Sequence, residues 1–120
     1  MIEALNLRQK FERIDEPFSP RVIGELNGQE VKLAKIQGEF VWHHHADADE
    51  LFYVVRGRLR MGLADGELVL EPGELCIVPR GVEHRPAADE ETWIVLFEPA
   101  GTRNTGNVIE ERTVERPPRI

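Results

Sequence analysis

The chain has one cysteine, Cys76, so no internal disulfide can form. Its setting, Leu75-Cys76-Ile77-Val78, is apolar and reads as a core thiol, not a reactive one. No basic stripe with interleaved aromatics appears, and the net charge is −7 with acids and bases mixed, which argues against a nucleic-acid partner. No apolar run approaches the roughly 20 residues needed to cross a bilayer, so no membrane partner is expected. No positively charged start leads into an apolar stretch, as a signal peptide would require. The cytoplasm is the expected home. Long helical periodicity, internal repeats and low-complexity tracts are also missing.

What is present fits one globular domain. The 120 residues are 41% hydrophobic and 31% charged, enough to bury a real core. Residues 1–20 read as an arm. Asn6 followed by Gln9 fits a capping box, which predicts a short helical turn over Leu7 to Phe11. Pro17 and Pro20 then stop regular structure. Leu5, Leu7, Phe11 and Phe18 need cover, which suggests an arm packed on a partner subunit.

From Val22 the pattern is β. Val22 to Leu26 and Glu30 to Ile36 flank Asn27-Gly28, a two-residue hairpin signal. Asp65-Gly66 and Pro72-Gly73 mark further turns around Leu59 to Leu63, Leu68 to Leu70 and Glu74 to Val78. After the Pro79-Arg80-Gly81 turn, an extended piece is expected over Glu83 to Ala87. A polar turn follows at Ala88-Asp89-Glu90-Glu91, and a central strand over Thr92 to Phe97. Short strands with turn signals at roughly 8–12-residue spacing predict an all-β sandwich or barrel over 21–99. Residues 100–120 read as a tail, with Val108 to Val114 able to add one edge strand.

The richest stretch runs from Gly38 to Gly57, GEFVWHHHADADELFYVVRG. Read as strand, turn and strand, it places His43 and His45 on one face, since residues two apart share a face. His44 then points the other way and reads as scaffold. Ala46-Asp47-Ala48-Asp49 suits a turn, and Glu50 returns beside the two histidines. His84 follows a Pro-x-Gly turn, where a strand begins. His43, His45, Glu50 and His84 form the candidate metal set. Imidazole and carboxylate donors suit Mn, Fe, Ni, Cu or Zn better than Mg or Ca. Three neutral imidazoles and one carboxylate leave a divalent site at about +1, with two positions of a six-coordinate ion open to water, oxygen or substrate. Val41 and Phe52, on the ligand face, are the candidate pocket residues.

These residues resemble the cupin superfamily. Its first motif is a glycine, His-x-His, an acid and a second glycine, here Gly38, His43, His45, Glu50 and Gly57. Four residues separate Gly38 from His43, where five is usual. The second motif is matched by Gly73, Pro79, Gly81 and His84, with Ala88 where the family carries a non-ligating Asn. The resemblance implies a small antiparallel β-barrel or jelly roll (the double-stranded β-helix) of the cupin-2 or phosphomannose-isomerase-like kind. It implies one divalent transition metal per chain and a homodimer. It also implies a metalloenzyme of the dioxygenase, isomerase or lyase type acting on a small oxygen-rich molecule. The alternative is a non-catalytic, metal-dependent binder or sensor of a small molecule.

Overall fold

The computed structural model describes residues 2–120. One short helix, α1 (Leu7–Phe11), precedes seven strands: β1 (Arg21–Leu26), β2 (Gln29–Glu39), β3 (Glu50–Arg56), β4 (Leu59–Leu63), β5 (Gly66–Leu70), β6 (Leu75–Val78) and β7 (Arg85–Pro99). All pairings between strands are antiparallel, in the order β1-β2-β7-β3-β6. β4 joins β7 on the same side as β3, and β5 extends from β4. The sheet folds over into a jelly-roll sandwich and does not close into a continuous barrel.

Turn chemistry sets the local joins. Asn27 and Gly28 both have positive φ, 52° and 78°, as a type I′ hairpin requires, and Leu26 pairs with Gln29 across them. In Glu71-Pro72-Gly73-Glu74 the Glu74 N–H donates to the Glu71 carbonyl at 3.0 Å, with Gly73 at φ 87°. Proline at the second position and a positive-φ glycine at the third make a type II turn.

β7 differs from expectation. Residues 85–99 form one continuous strand, and the turn expected at Ala88-Asp89-Glu90-Glu91 does not form. No glycine or proline there supplies a reversal. Instead the β2 register shifts between Ile36, opposite Thr92, and Gly38, opposite Ala88, so a bulge absorbs the polar residues. β7 therefore runs through both layers. Its first residues pair with β4 and its last with β3.

The main core lies between the layers and includes Ile36, Phe40, Phe52, Val54, Leu59, Met61 and Ile94. A second cluster lies outside the sheet, where Phe11 and Ile14 of the arm cover Leu33 and Trp93. Asn6 caps α1 by accepting from the Gln9 N–H at 2.9 Å, as the sequence predicts. Phe11 and Trp93 stack at 4.6 Å between ring centroids. The arm thus finds cover for Leu7, Phe11 and Phe18 on its own chain, while Leu5 stays exposed.

The tail contains no strand over Val108 to Val114 among the described residues; it makes only a single bridge, Arg119 to Val22. Its polar groups are satisfied by local turns instead. Thr105 Oγ1 donates to the Val108 carbonyl, and Asn104 Oδ1 accepts from the Val114 N–H at 2.7 Å. Cys76 sits half-buried against the main core, and burial pushes its thiol up to about 11.

Phe11→Ala removes a fully buried ring stacked on Trp93. The expected loss is about 3–5 kcal/mol of unfolding free energy, read by urea titration with tryptophan fluorescence. A loss below about 1 kcal/mol would show that the arm is not part of the folded core.

Candidate metal centre

The His-rich stretch is not a regular strand. β2 ends at Glu39 and β3 begins at Glu50. Between them an isolated antiparallel bridge pairs His43 with His84. The two residues exchange both backbone hydrogen bonds, His43 N–H to His84 O at 3.0 Å and His84 N–H to His43 O at 2.9 Å. This pairing sets the two imidazoles side by side, with ring centroids 4.3 Å apart. The turn before His84 is locked to the same loop. Gly81, at φ 81°, donates its N–H to the His45 carbonyl at 2.8 Å, and the Arg80 N–H donates to Asp49 Oδ1 at 2.8 Å. Glu50 enters from the first residue of β3, whose buried face also carries Phe52 and Val54.

His43, His45, Glu50 and His84 are all buried, and one donor atom from each lies within 4.8 Å of the others. The tautomers of two imidazoles follow from their neighbours. His43 Nδ1 is 2.9 Å from the Val41 carbonyl, and His84 Nδ1 is 2.8 Å from the Val82 carbonyl. A carbonyl can only accept, so both Nδ1 atoms carry the proton and both Nε2 atoms present a lone pair. His45 Nε2 and His84 Nε2 lie 3.2 and 3.4 Å from Glu50 Oε1, yet all three atoms are buried without a hydrogen-bond partner. Buried polar atoms left this way cost about 1–3 kcal/mol each. A cation between them would satisfy all three at once, so the donor set fits a transition metal.

The electrostatics agree. Burial first, and the adjacent His84 second, pull His43 down to about 4, so it is neutral and free to ligate at neutral pH. Burial alone would raise Glu50, but the His45 and His84 imidazoles outweigh it and hold the carboxyl below the usual range.

His44 points outward, as alternation predicts. Its Nδ1 meets Glu83 Oε2 at 3.0 Å on the surface. Its backbone is held by the tail, donating to Asn107 Oδ1 at 2.9 Å and accepting from the Asn107 N–H at 3.1 Å. Gly106 packs so closely that a Cβ there would lie 2.1 Å from the His44 carbonyl oxygen.

A cavity of about 40 Å³ adjoins the cluster, room for about three waters. His43, Glu50 and Phe52 line it, with Phe40, Leu96 and Glu98. Phe52 is thus on the wall. Val41 is not; its side chain packs on the core, and its carbonyl serves to orient His43. The expected pocket role of Val41 fails because the segment leaves the strand pattern that placed it on the ligand face. Sequence reasoning also missed Lys32 and Glu98. Both are almost fully buried, and Lys32 Nζ donates to Glu98 Oε1 at 2.9 Å. The available signal was a charged residue at an inward position of each strand: Lys32 in phase with Ala34 and Ile36, Glu98 in phase with Ile94 and Leu96. Burial, and then the neighbouring Glu50, push the Glu98 carboxyl well above its usual range against the pull of Lys32.

A jelly roll with three imidazoles and a carboxylate gathered beside an internal cavity defines a class of small β-sandwich proteins. Residues 29–98, more than half the chain, match the cupin domain family (cupin-2), and the chain belongs to it. It is similar to a cupin-2 domain protein of Shewanella frigidimarina, 46% identical over 79% of this chain and 93% of that one, with a TM-score of 0.78. A Neisseria meningitidis protein is 32% identical over 82% of this chain and all of its own, with a TM-score of 0.75. The uncharacterized protein YdbB of Bacillus subtilis is 37% identical over 71% of this chain and 76% of its own. No helix among the described residues is long and apolar enough to cross a membrane.

The His43 shift gives metal-free protein a defined pH dependence. Unfolded, His43 takes a proton below about 6.5; folded, it resists protonation down to about 4. Between these values the unfolded state binds more protons, so the stability His43 contributes falls as pH falls. The raised Glu98 acts with the opposite sign, and comparison with His43→Gln cancels it. Chelator-treated wild type should lose about 2–3 kcal/mol relative to His43→Gln between pH 7 and pH 4.5, by urea unfolding. Parallel curves for the two proteins would refute the assignment.

Proposed function

We propose that this cupin binds one divalent transition metal per chain through His43, His45, Glu50 and His84. In this reading it is a metalloenzyme acting on a small oxygen-rich molecule held in the adjoining cavity. The observation that carries the reading is the set of three buried, unpartnered donor atoms, His45 Nε2, Glu50 Oε1 and His84 Nε2, beside a cavity of about 40 Å³. A metal in this set would supply Lewis acidity and open coordination positions for ligand oxygens. The protein's own part is to orient and to exclude water. The Val41 and Val82 carbonyls fix the His43 and His84 imidazoles, and Phe40 and Phe52 pack edge-on against His43 and His84 at 5.5 and 5.9 Å. The non-catalytic reading, a metal-dependent binder or sensor, uses the same residues and differs only in turnover. The single half-buried thiol suits a cytoplasmic home for either.

The protein is further proposed to form a homodimer. β6 is an edge strand, and Leu75 and Ile77 on it are 52% and 59% exposed. Apolar side chains on an unpaired strand edge invite another chain.

Protein purified without a histidine tag should carry about one transition metal per chain by elemental analysis, and His84→Ala should lose most of it. Less than about half a metal per chain, unchanged by His84→Ala, would overturn the site. Iron-loaded protein tested for oxygen uptake over catechols, diketones and thiols separates the two functional readings: uptake abolished by His84→Ala supports the enzyme, and binding without uptake supports the sensor.

Analytical ultracentrifugation should give a dimer that Leu75→Lys with Ile77→Lys converts to monomer. A monomeric wild type at micromolar concentration would exclude the interface.

A further inference from the structure

The cavity beside the metal donors has one side that neither the sheet nor the metal loop supplies. Phe18 and Pro20 reach it from the arm, and Asn104 from the tail. Asp15, Glu16 and Pro17 are exposed, and Phe18 turns inward from them to become 8% exposed. A backbone hydrogen bond ties this loop to β2, from the Phe18 N–H to the Lys35 carbonyl at 2.8 Å. The ring stacks on Phe40 with centroids 4.8 Å apart, and Phe40 stands edge-on to His43. Arg112 of the tail reaches both rings. Its guanidinium carbon is 5.0 Å from the Phe18 centroid and 4.9 Å from that of Phe40. Its nitrogens donate to Glu110 Oε1 at 3.0 Å and to the Glu39 carbonyl at 3.1 Å. Two observations point to movement here. Phe18 has φ 58° in a turn just after Pro17, a place that calls for glycine or asparagine. A bulky side chain rarely adopts that conformation, and strain of this kind gathers at ligand clamps and switches. With Phe18 in place the cavity holds only about three waters, too little for an organic ligand.

We propose that Phe18 is the gate of this site: residues 15–20 lift from β2, and a flat ligand takes the place of the ring on Phe40. This rests on reading the cavity beside the metal donors as the ligand site. The loop can lift without loss of the fold. Phe11 and Ile14 anchor the arm on the outer cluster, and strand pairing begins only at Arg21. Lifting therefore breaks the bond to Lys35 and the ring contacts but no strand pairing. The vacated slot has the Phe40 ring on one side and the Arg112 guanidinium beside it. A planar ring stacks on Phe40, and an anionic oxygen group pairs with Arg112. The ligand class is therefore a planar anion of about one ring, such as an aromatic carboxylate.

Amide hydrogen exchange by NMR tests the gate without altering Phe18. In chelator-treated wild type the Phe18 N–H should exchange about tenfold or more faster than the paired amides of β2 and β7, at a rate that low urea leaves unchanged. Arg112→Gln should speed that exchange about two- to fivefold, the effect of one lost cation–π contact, and leave the strand amides where they were. Cobalt-loaded protein tests admission, with binding read from the cobalt visible bands. Azide fits the cavity as it stands, and benzoate is one ring larger. In wild type the benzoate rate should level off with concentration at the opening rate, and Phe18→Ala should raise the ratio of benzoate to azide rates about tenfold. Exchange of the Phe18 amide only together with the strand amides overturns the gate. So does an unchanged rate ratio, or benzoate that binds neither protein. Failure of the metal reading looks different: cobalt is then not retained, while the Phe18 amide still exchanges by local opening.

Discussion

Two backbone hydrogen bonds between His43 and His84 hold the rest of the site in place. Strand pairing ends at Glu39 on one side and resumes at Arg85 on the other, so this bridge is where the His-rich loop joins the second motif. Once it forms, the imidazoles of residues far apart in sequence sit 4.3 Å apart, and the Pro79-Arg80-Gly81 turn docks on His45 and Asp49. The tail backs the loop from outside, through Asn107 on the His44 backbone and Gly106 packed where no side chain fits. Donor geometry in this protein is thus set largely by backbone contacts. That suits a precise site, because backbone positions fixed at several points leave the side chains little freedom.

The second constraint is electrostatic. Five ionisable side chains, His43, His45, Glu50, His84 and Glu98, are buried close together with one lysine. Without a cation the cluster relieves itself by keeping His43 neutral and pushing the Glu98 carboxyl up. The same arrangement favours a divalent ion, which needs neutral imidazoles and an ionised Glu50.

Much of this was legible along the chain, for physical reasons that are local. The Asn6 cap, the Asn27-Gly28 hairpin and the Pro72-Gly73 turn depend on the conformations of a few adjacent residues, and all three form. The outward His44 follows from its place between two inward residues, His43 on its bridge to His84 and the buried His45. Alternation failed where its premise failed. Val41 leaves the ligand face because residues 40–49 are not a strand, and the expected turn at Ala88 to Glu91 gives way to a bulged, continuous β7 because no residue there can reverse the chain.

Residue identity, spacing and turn chemistry were enough to read the all-β class and to single out three imidazoles and one carboxylate that could hold a metal. Only the folded chain shows that the arm covers its own sheet, that the tail braces the loop carrying His43 to His45 without adding a strand, and that Lys32 meets Glu98 on the neighbouring strand. Each of those is a contact between faces brought together by long-range pairing. Nothing in a short window of residues specifies which of several apolar faces will be opposite, or which inward charge will find its partner, until the register of β2 on β7 is fixed.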